Sequence, residues 1–169
     1  IGADEVNTQG LTIRTTFDEQ LVNAGVAAVK NTLAGKGASP RLQVAMASVD
    51  VNTGAVKAIY GGKDFVRSRQ QNAATQDIAM AGSTFKPFAL VAALKKGISL
   101  RSRFDGSSPK TFPVSSYPHP VSNFGNEQYG YVDLPTATAY SVNTVYVGLN
   151  EEVGPRRTRR AAIDAGIPK

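Results

Sequence analysis

The chain has 169 residues, of which 41% are hydrophobic and 19% are charged, and its formal net charge at pH 7 is +6. This length and composition are sufficient for a buried core and argue against a disordered chain. No apolar run approaches the ~18 residues of a membrane span, and the absence of cysteine excludes disulfides and thiolate chemistry. The start IGADEV lacks methionine and a signal-peptide pattern, so we expect a piece of a longer protein.

The first half of the chain predicts a strand, a helix and a hairpin in that order. The stretch LTIRTT, Leu11–Thr16, alternates and is β-branched, which predicts a short strand. Asp18 is a candidate helix start, with the helix continuing to Leu33. The stretch Gln43–Gly62 predicts a β-hairpin, because two apolar runs flank a turn at Asn52–Gly54 where residues that accept positive φ are expected.

An S-x-x-K pattern, Ser83 to Lys86, lies where the next helix is expected to begin. The run FALVAAL from Phe88 is apolar on every side, which predicts a buried core helix that ends at Gly97. Residues three apart share a helix face, so the Ser83 hydroxyl and the Lys86 amine are expected to meet. A serine needs an adjacent base, and a lysine can be that base when burial lowers its pKa. Ser83 and Lys86 are therefore a candidate nucleophile and base.

The same pattern occurs again from Ser107 to Lys110, inside the stretch Ser99–Gly130 that is rich in Pro, Ser, Gly and Asn. This composition predicts a long loop, and a loop of such length is often functional. No apolar run follows the second copy, so we interpret it as solvated and not catalytic. The single histidine, His119, lies between two prolines in this loop; a Ser-His-Asp triad would need it, and a solvated histidine is the favoured interpretation.

Helices are predicted again on both sides of the tripeptide Ser141-Val142-Asn143, with Gly154 and Pro155 ending the second one. Positions two apart do not share a helix face, so Ser141 and Asn143 converge on one site only if the tripeptide forms a turn. Capping of the following helix is the alternative role for either residue.

Four arginines follow Gly154. A nucleic-acid surface is one interpretation of a basic cluster, but no aromatic residues are interleaved with it. The cluster is followed by the apolar tail AAIDAGI, so we interpret it as the polar face of a terminal helix. Its members are Arg156, Arg157, Arg159 and Arg160.

Ser-x-x-Lys at a helix start, followed by Ser-x-Asn on a turn about sixty residues later, resembles the penicillin-binding proteins and serine β-lactamases. The stretches GLTIRTTFD, VDVNTGAVKAIYGGKDF, AGSTFKPFALVAAL and ATAYSVNTVYVGLNEEVGP resemble the transpeptidase domain of class A penicillin-binding proteins, in particular the actinobacterial members. The resemblance covers nearly the whole chain from Gly10 onward. It implies an α/β (α+β) fold in which an antiparallel sheet is flanked by helices beside an all-helical subdomain, with this chain only a part of it.

The resemblance also implies a reaction and its residues. Ser83 would be the acylated nucleophile, Lys86 its general base and Ser141 a proton relay, while Asn143 would bind the substrate amide and hold Lys86. The implied reaction is the cross-linking of peptidoglycan stem peptides by DD-transpeptidation, and β-lactams would acylate the same serine. Ser83, Ser141 and Asn143 would contact either ligand. No cofactor or metal is implied, and the implied location is the extracytoplasmic face of a bacterial membrane, anchored in the full-length protein.

One departure from the family concerns its third motif, Lys-Thr/Ser-Gly. The nearest match, KTF at residues 110–112, precedes the S-x-N tripeptide instead of following it. We therefore expect residues 1–10 to be an interdomain linker remnant and residues 11–169 to be the N-terminal portion of the transpeptidase domain, without its C-terminal strands. We also expect this chain alone to be inactive and unstable, and a second chain with the C-terminal part of the domain to pack against it.

Two alternative functions share the same four residues. A class A β-lactamase also needs a glutamate-activated water for deacylation; no glutamate follows Glu151 and Glu152, which are predicted to lie on a helix surface. A β-lactam-binding sensor domain would be acylated by penicillin but would not cross-link stem peptides. The sequence context of the S-x-x-K pattern favours the transpeptidase.

Overall fold

The computed structural model describes residues 2–33, 37–39, 41–64, 66–67, 70–112 and 119–168. The chain divides into two compact units, Ile1–Ala79 and Met80–Lys169. Within the described residues, each unit contains one two-stranded antiparallel sheet. In these same ranges, no helix combines the length and the apolar character that crossing a membrane requires.

The first unit is built around a β-hairpin. Its elements are α1 (Ala3–Thr8), α2 (Glu19–Leu33), β1 (Met46–Val49), β2 (Val56–Tyr60) and the short helix α3 (Ala73–Gln76). Strands β1 and β2 pair antiparallel. Between them, Asp50 Oδ1 accepts from the backbone N–H groups of Asn52 and Thr53 at 3.0 and 2.8 Å, and Gly54 has a φ of 71°. The predicted hairpin is therefore confirmed, together with the residue that takes positive φ in its turn.

Helix α2 begins as predicted and packs on the hairpin. Asp18 precedes the helix, and its Oδ1 accepts from the Leu21 backbone N–H at 3.1 Å, which satisfies a first-turn donor. Gly25 is buried, and a Cβ atom built there would lie 2.3 Å from Met46 Cε. The absence of a side chain at Gly25 therefore allows α2 to lie close to β1.

The predicted strand at Leu11–Thr16 is wrong. These residues are exposed and have no strand assignment. At the end of the segment Thr16 Oγ1 donates to Val56 O of β2 at 2.5 Å, and just after it the Asp18 N–H donates to Lys57 O at 2.9 Å. An alternating pattern makes a strand only when a neighbouring strand offers a continuous row of backbone partners, and among the described residues these hydrogen bonds to β2 do not form such a row.

The second unit is mainly helical. Its elements are α4 (Lys86–Lys95), β3 (Arg103–Asp105), β4 (Tyr131–Asp133), α5 (Leu134–Ala139), α6 (Asn143–Val153) and α7 (Pro155–Asp164), with 3₁₀ turns at Gly82–Phe85 and Phe124–Asn126. Strands β3 and β4 pair antiparallel. The core consists mostly of small and aliphatic side chains, which lets α4 approach α6 and α7 closely. Its members include Ala89, Ala92, Ala93, Leu134, Ala137, Val145, Leu149, Val153 and Ala161.

Helix α4 is confirmed, but the prediction that it is buried on every side is wrong. Ala89, Ala92 and Ala93 are buried, whereas Val91 and Leu94 are 41% and 44% exposed. The reason is that α6 and α7 pack against one face of α4. Uniform apolarity in the sequence therefore does not establish uniform burial within the described part of this chain.

The stretch predicted as one long loop contains ordered pairing. Strands β3 and β4 lie at its two ends, and Lys110 and Val121 exchange backbone hydrogen bonds of 2.9 and 2.8 Å. The second S-x-x-K copy is less solvated than expected, because Ser107 and Lys110 are partly buried and Ser108 is buried. The loop prediction also includes residues 113–118, which lie outside the described residues.

The C-terminal helices are confirmed. Gly154 has a φ of 94° and ends α6, and α7 begins at Pro155. Helix α7 buries Thr158, Ala161 and Ala162. The interpretation of the arginine cluster as the polar face of a terminal helix is also confirmed, because all four side chains are exposed: Arg156, Arg157, Arg159 and Arg160.

Candidate active site

Ser83 and Lys86 lie at the junction of a 3₁₀ turn and α4. Gly82 has a φ of 53°, so its missing side chain allows the chain to turn sharply just before Ser83. Pro87 lies in the first turn of α4, where its missing N–H costs no helical hydrogen bond. Lys86 adopts helical angles of φ −56° and ψ −38° although a proline follows it. The predicted helix start near Ser83 is therefore confirmed, with 3₁₀ geometry in its first turn.

Ser141 and Asn143 lie at the turn between α5 and α6. Ser141 has a φ of 53°, a left-handed conformation that non-glycine residues adopt only when surrounding contacts hold it. Asn143 is the first residue of α6. The predicted turn is confirmed. The capping alternative is wrong, because the residue at the cap position is Val142 and no side chain there makes a capping hydrogen bond.

The Lys86 amine joins the other three residues. Its Nζ atom lies 3.1 Å from Ser83 Oγ, 2.9 Å from Ser141 Oγ, 2.6 Å from Ser141 O and 2.6 Å from Asn143 Oδ1. An ammonium group has only three hydrogens for these four oxygen atoms. The longest of the four contacts is to Ser83 Oγ, so this hydroxyl is the partner that is most readily released or reversed. A neutral amine would accept a hydrogen bond from it.

The surroundings of Lys86 lower the pKa of its amine. Lys86 is partly buried, and burial lowers the pKa of its amine. Within the described ranges, no carboxylate lies within ion-pair distance of it. The face of the Tyr146 ring, whose centroid is 5.6 Å from Nζ, and the oxygen acceptors act in the opposite direction because they favour the charged form. The net direction is downward, as a general base near neutral pH requires.

The orientation of Asn143 is fixed from its other side. Its Nδ2 atom donates to the backbone carbonyl of Ser122 at 2.8 Å. A carbonyl pairs only with the NH₂ end of an amide, so the Asn143 Oδ1 atom is directed to Lys86. The sequence analysis did not identify Ser122, because the contact depends on backbone from a distant loop. It also did not identify Tyr146, although its position three residues after Asn143 places both on one face of α6.

A cavity of about 900 Å³ borders the site. The Ser83 side chain is exposed, and Lys86, Asn143 and Tyr146 lie on the cavity wall. Glu151 also lines this cavity, is partly buried, and its Oε1 atom is buried without a hydrogen-bond partner. The prediction that Glu151 is a helix-surface residue is therefore wrong, whereas Glu152 is exposed as expected.

The remaining sequence candidates lie in other surroundings. Lys110 forms an ion pair with Asp105, with Nζ and Oδ2 3.0 Å apart. Phe112, the last residue of the KTF stretch, is 7% exposed and therefore buried. His119 is exposed, as favoured from the sequence. The four residues singled out by the two motifs are the ones that share hydrogen bonds around Lys86.

The geometry and the fold agree with one family model, the penicillin binding protein transpeptidase domain, which matches residues 44–167. The match includes all four candidate site residues and most of the chain, so the chain belongs to the penicillin-binding protein transpeptidase family. The transpeptidase fold is thereby confirmed, as is the resemblance to class A members.

The individual relatives that match include mycobacterial proteins over nearly the whole chain. The chain is 37% identical to penicillin-binding protein 1A of Mycolicibacterium smegmatis and 38% identical to that of Mycobacterium tuberculosis, in each case over 99% of this chain. It covers 20% and 19% of those two proteins, so it spans about a fifth of the length of the curated relatives it matches.

Two solved structures of the Mycobacterium tuberculosis penicillin-binding protein PonA1 match the fold. One has a TM-score of 0.81 and 36% identity, covering 99% of this chain and 40% of that one. The other, a complex of PonA1 with penicillin V, has a TM-score of 0.79 and 35% identity, covering 99% of this chain and 42% of that one. The expected actinobacterial resemblance is thus confirmed.

Proposed function

We propose that this chain contributes the acylated serine and its base to a peptidoglycan DD-transpeptidase. The observation that supports this most directly is the position of Lys86 Nζ, within 3.1 Å of Ser83 Oγ and within 2.9 Å of Ser141 Oγ and Asn143 Oδ1. The chain spans only a fifth of its curated relatives, so the activity is proposed for the complete protein. The PonA1 complex with penicillin V supports β-lactam binding by the same site.

The first transfer makes an ester on Ser83. Neutral Lys86 takes the hydroxyl proton while Ser83 Oγ bonds to the carbonyl carbon of the penultimate D-alanine. The proton then passes from Lys86 through Ser141 Oγ, 2.9 Å away, to the leaving amine. The C–N bond breaks and the terminal D-alanine departs. The start of the 3₁₀ turn and α4 favours the negative charge that develops on the carbonyl oxygen.

The second transfer releases the ester. An amine from a neighbouring stem peptide attacks the ester carbon and loses its proton to the Ser141–Lys86 pair. The C–O bond to Ser83 then breaks, and Lys86 returns that proton to Ser83 Oγ, 3.1 Å away, which restores the hydroxyl and the neutral amine. Asn143 Nδ2 uses one of its two hydrogens on Ser122 O, which leaves the other for the substrate amide. A β-lactam completes only the first transfer, because its leaving amine stays attached and blocks the acceptor.

We further propose that residues 11–169 form the N-terminal portion of the transpeptidase domain and that residues 1–10 belong to a linker. The rest of the domain, on the same or a second chain, would complete the cleft and supply the Lys-Thr/Ser-Gly motif. The chain covers 40% of the matched PonA1 chain, which supports the proposal that it is part of a larger domain. The domain would act on the extracytoplasmic face of a bacterial membrane, held there by segments outside this sequence.

Penicillin labelling of the complete protein tests the proposal. Mass spectrometry after proteolysis should find one added drug mass on the peptide that contains Ser83. A label on the peptide with Ser107 would overturn the site, and the absence of any label would overturn the function. Rapid loss of the label with release of hydrolysed drug would indicate a β-lactamase, and a stable label without cross-linking of stem peptides would indicate a sensor.

A further inference from the structure

Asn123 is a buried amide whose hydrogen bonds join three segments of the second unit. It is 5% exposed. Its Nδ2 atom donates to Gly106 O and Glu127 O, both at 2.9 Å, and its Oδ1 atom accepts from the Thr144 backbone N–H at 3.1 Å and from the Thr144 hydroxyl at 3.2 Å. Its own backbone N–H donates to Ser108 Oγ at 2.9 Å. Both ends of this amide are fully used, so its orientation is fixed.

Two parts of this network lie next to the candidate active site: Thr144 and the backbone of Ser122. Thr144 follows Asn143 in α6, and the cap position of α6 offers no side-chain acceptor, so Asn123 Oδ1 satisfies a first-turn N–H from outside the helix. Ser122 precedes Asn123, and its carbonyl accepts from Asn143 Nδ2 at 2.8 Å. The carbonyl that directs the Asn143 amide thus belongs to the residue directly before Asn123, whose side chain makes four hydrogen bonds.

We propose that Asn123 is a positioning residue for the acylation of Ser83, an inference that rests on the proposed function. Asn123 holds the Ser122 carbonyl and the start of α6 at a fixed separation, which makes Asn143 present its oxygen to Lys86. Without Asn123, the Asn143 amide is free to rotate and present its NH₂ group, which cannot accept from an ammonium.

A pH profile separates this role from a general loss of stability. The Asn143 oxygen accepts from Lys86 and so stabilises the charged form; losing it lowers the pKa of Lys86 further. Acylation needs neutral Lys86, so the acid limb of the rate should move to lower pH. The other groups around Lys86 are the Tyr146 ring on α6, the Ser141 oxygens on the preceding turn, and Glu151 on the shared cavity wall. None of them is altered by a change at Asn123.

The experiment compares two variants of the complete protein by acylation with a fluorescent penicillin over a pH series. Asn123→Ala should slow the plateau rate by about 10- to 100-fold, as misplaced groups do, and move the acid limb to lower pH. Thr158→Val is the matched control, because it removes a buried hydroxyl of α7 that donates to Asn150 Oδ1 on α6 at 2.6 Å. This control variant should lower the melting temperature, while the acid limb of its acylation rate should stay at the wild-type pH.

A further variant, Ser108→Ala, covers the case in which Asn123→Ala does not fold. It removes the hydroxyl that accepts from the Asn123 N–H, and it should move the acid limb in the same direction by less. An unmoved acid limb in the folded variants, with or without a slower rate, would overturn the role of Asn123. A wild-type protein without label on Ser83 would instead overturn the proposed function, and this inference with it.

Discussion

The two S-x-x-K pairs of this chain have the same spacing and different surroundings. Among the described residues, the polar and ring contacts of Lys86 are to uncharged oxygens and one aromatic ring, and burial lowers its pKa. Lys110 instead lies 3.0 Å from the Asp105 carboxylate and serves as an ion-pair partner. A lysine becomes a base when it is desolvated without a compensating negative charge. The difference between the pairs therefore lies in the neighbours that the fold supplies.

The two serines also differ in local backbone. Ser83 lies in the 3₁₀ turn that leads into α4, so its hydroxyl lies on the same side as the Lys86 amine. The Ser107 backbone N–H donates to Asp105 Oδ1 at 2.9 Å, so this serine belongs to a turn that Asp105 organises. The Asp105 carboxylate thus accepts from the Ser107 backbone N–H in the turn and also accepts from the Lys110 amine of the second pair.

The largest effect on the acylation rate is expected when the serine of each pair is replaced by alanine, one at a time. Ser83→Ala in the complete protein should reduce penicillin acylation by at least about 10⁴-fold, because loss of a nucleophile removes the covalent step. Ser107→Ala is the matched control and should be acylated at the wild-type rate. Gel fluorescence with a labelled penicillin measures both. Labelling of Ser83→Ala at the wild-type rate would show that the Ser83–Lys86 pair is not the one that reacts with penicillin.

A smaller loss of acylation rate is expected when the lysine of each pair is replaced by arginine. Lys86→Arg keeps the charge but cannot act as a base near neutral pH, so acylation should fall by about 10²- to 10⁴-fold. Lys110→Arg keeps an ion pair with Asp105 and should leave the rate unchanged. Stopped-flow acylation gives the rates, and thermal melting shows that both variants fold. Equal rates for the two variants would place the base elsewhere.

Local patterns in the sequence predicted the parts of the site that depend on short stretches of chain. Gly54 in the hairpin turn and Asp18 at the start of α2 follow from local backbone chemistry. The Ser83–Lys86 pair follows from helix spacing, and the convergence of Ser141 with Asn143 follows from the need for a turn. Each of these depends on residues within a few positions of one another.

The features that the sequence did not predict depend on distant contacts. The contact of Asn123 with Thr144 spans 21 residues, and no local pattern indicates it. The exposed side of α4 at Val91 and Leu94 depends on which helices pack against it. The segment Leu11–Thr16 has the composition of a strand but no continuous ladder partner. Burial and strand pairing each need two contacting surfaces. A single stretch of sequence determines only its own surface and not the one that packs against it.

A modest change in stability, without a change in acylation, is expected from Asp105→Asn. The Ser107 backbone N–H and the Lys110 amine lower the pKa of Asp105. A carboxyl whose pKa is lowered on folding stabilises the fold above its unfolded pKa of about 4, and this contribution disappears as the pH falls through the folded value. The variant should lose less than about 1 kcal/mol at neutral pH, because the pair is partly solvated.

Thermal melting at neutral and acidic pH measures that contribution. The difference in melting temperature between wild type and Asp105→Asn should shrink once the pH is below the folded pKa of Asp105. The penicillin acylation rate at neutral pH should be the same in both proteins. A slower acylation rate in folded Asp105→Asn would show that the second S-x-x-K pair contributes to the reaction.

The smallest effect on acylation is expected from His119→Ala, which tests whether the histidine, and not Lys86, is the base. His119 is exposed, and an imidazole is a common general base in catalysis. If it were the base, the acid limb of acylation would depend on the imidazole and the variant would lose about 10²-fold or more in rate. With Lys86 as the base, His119→Ala should keep both the rate and the position of the limb. A stopped-flow pH series on the two proteins decides between these outcomes, because only the histidine mechanism predicts a limb that disappears with the imidazole.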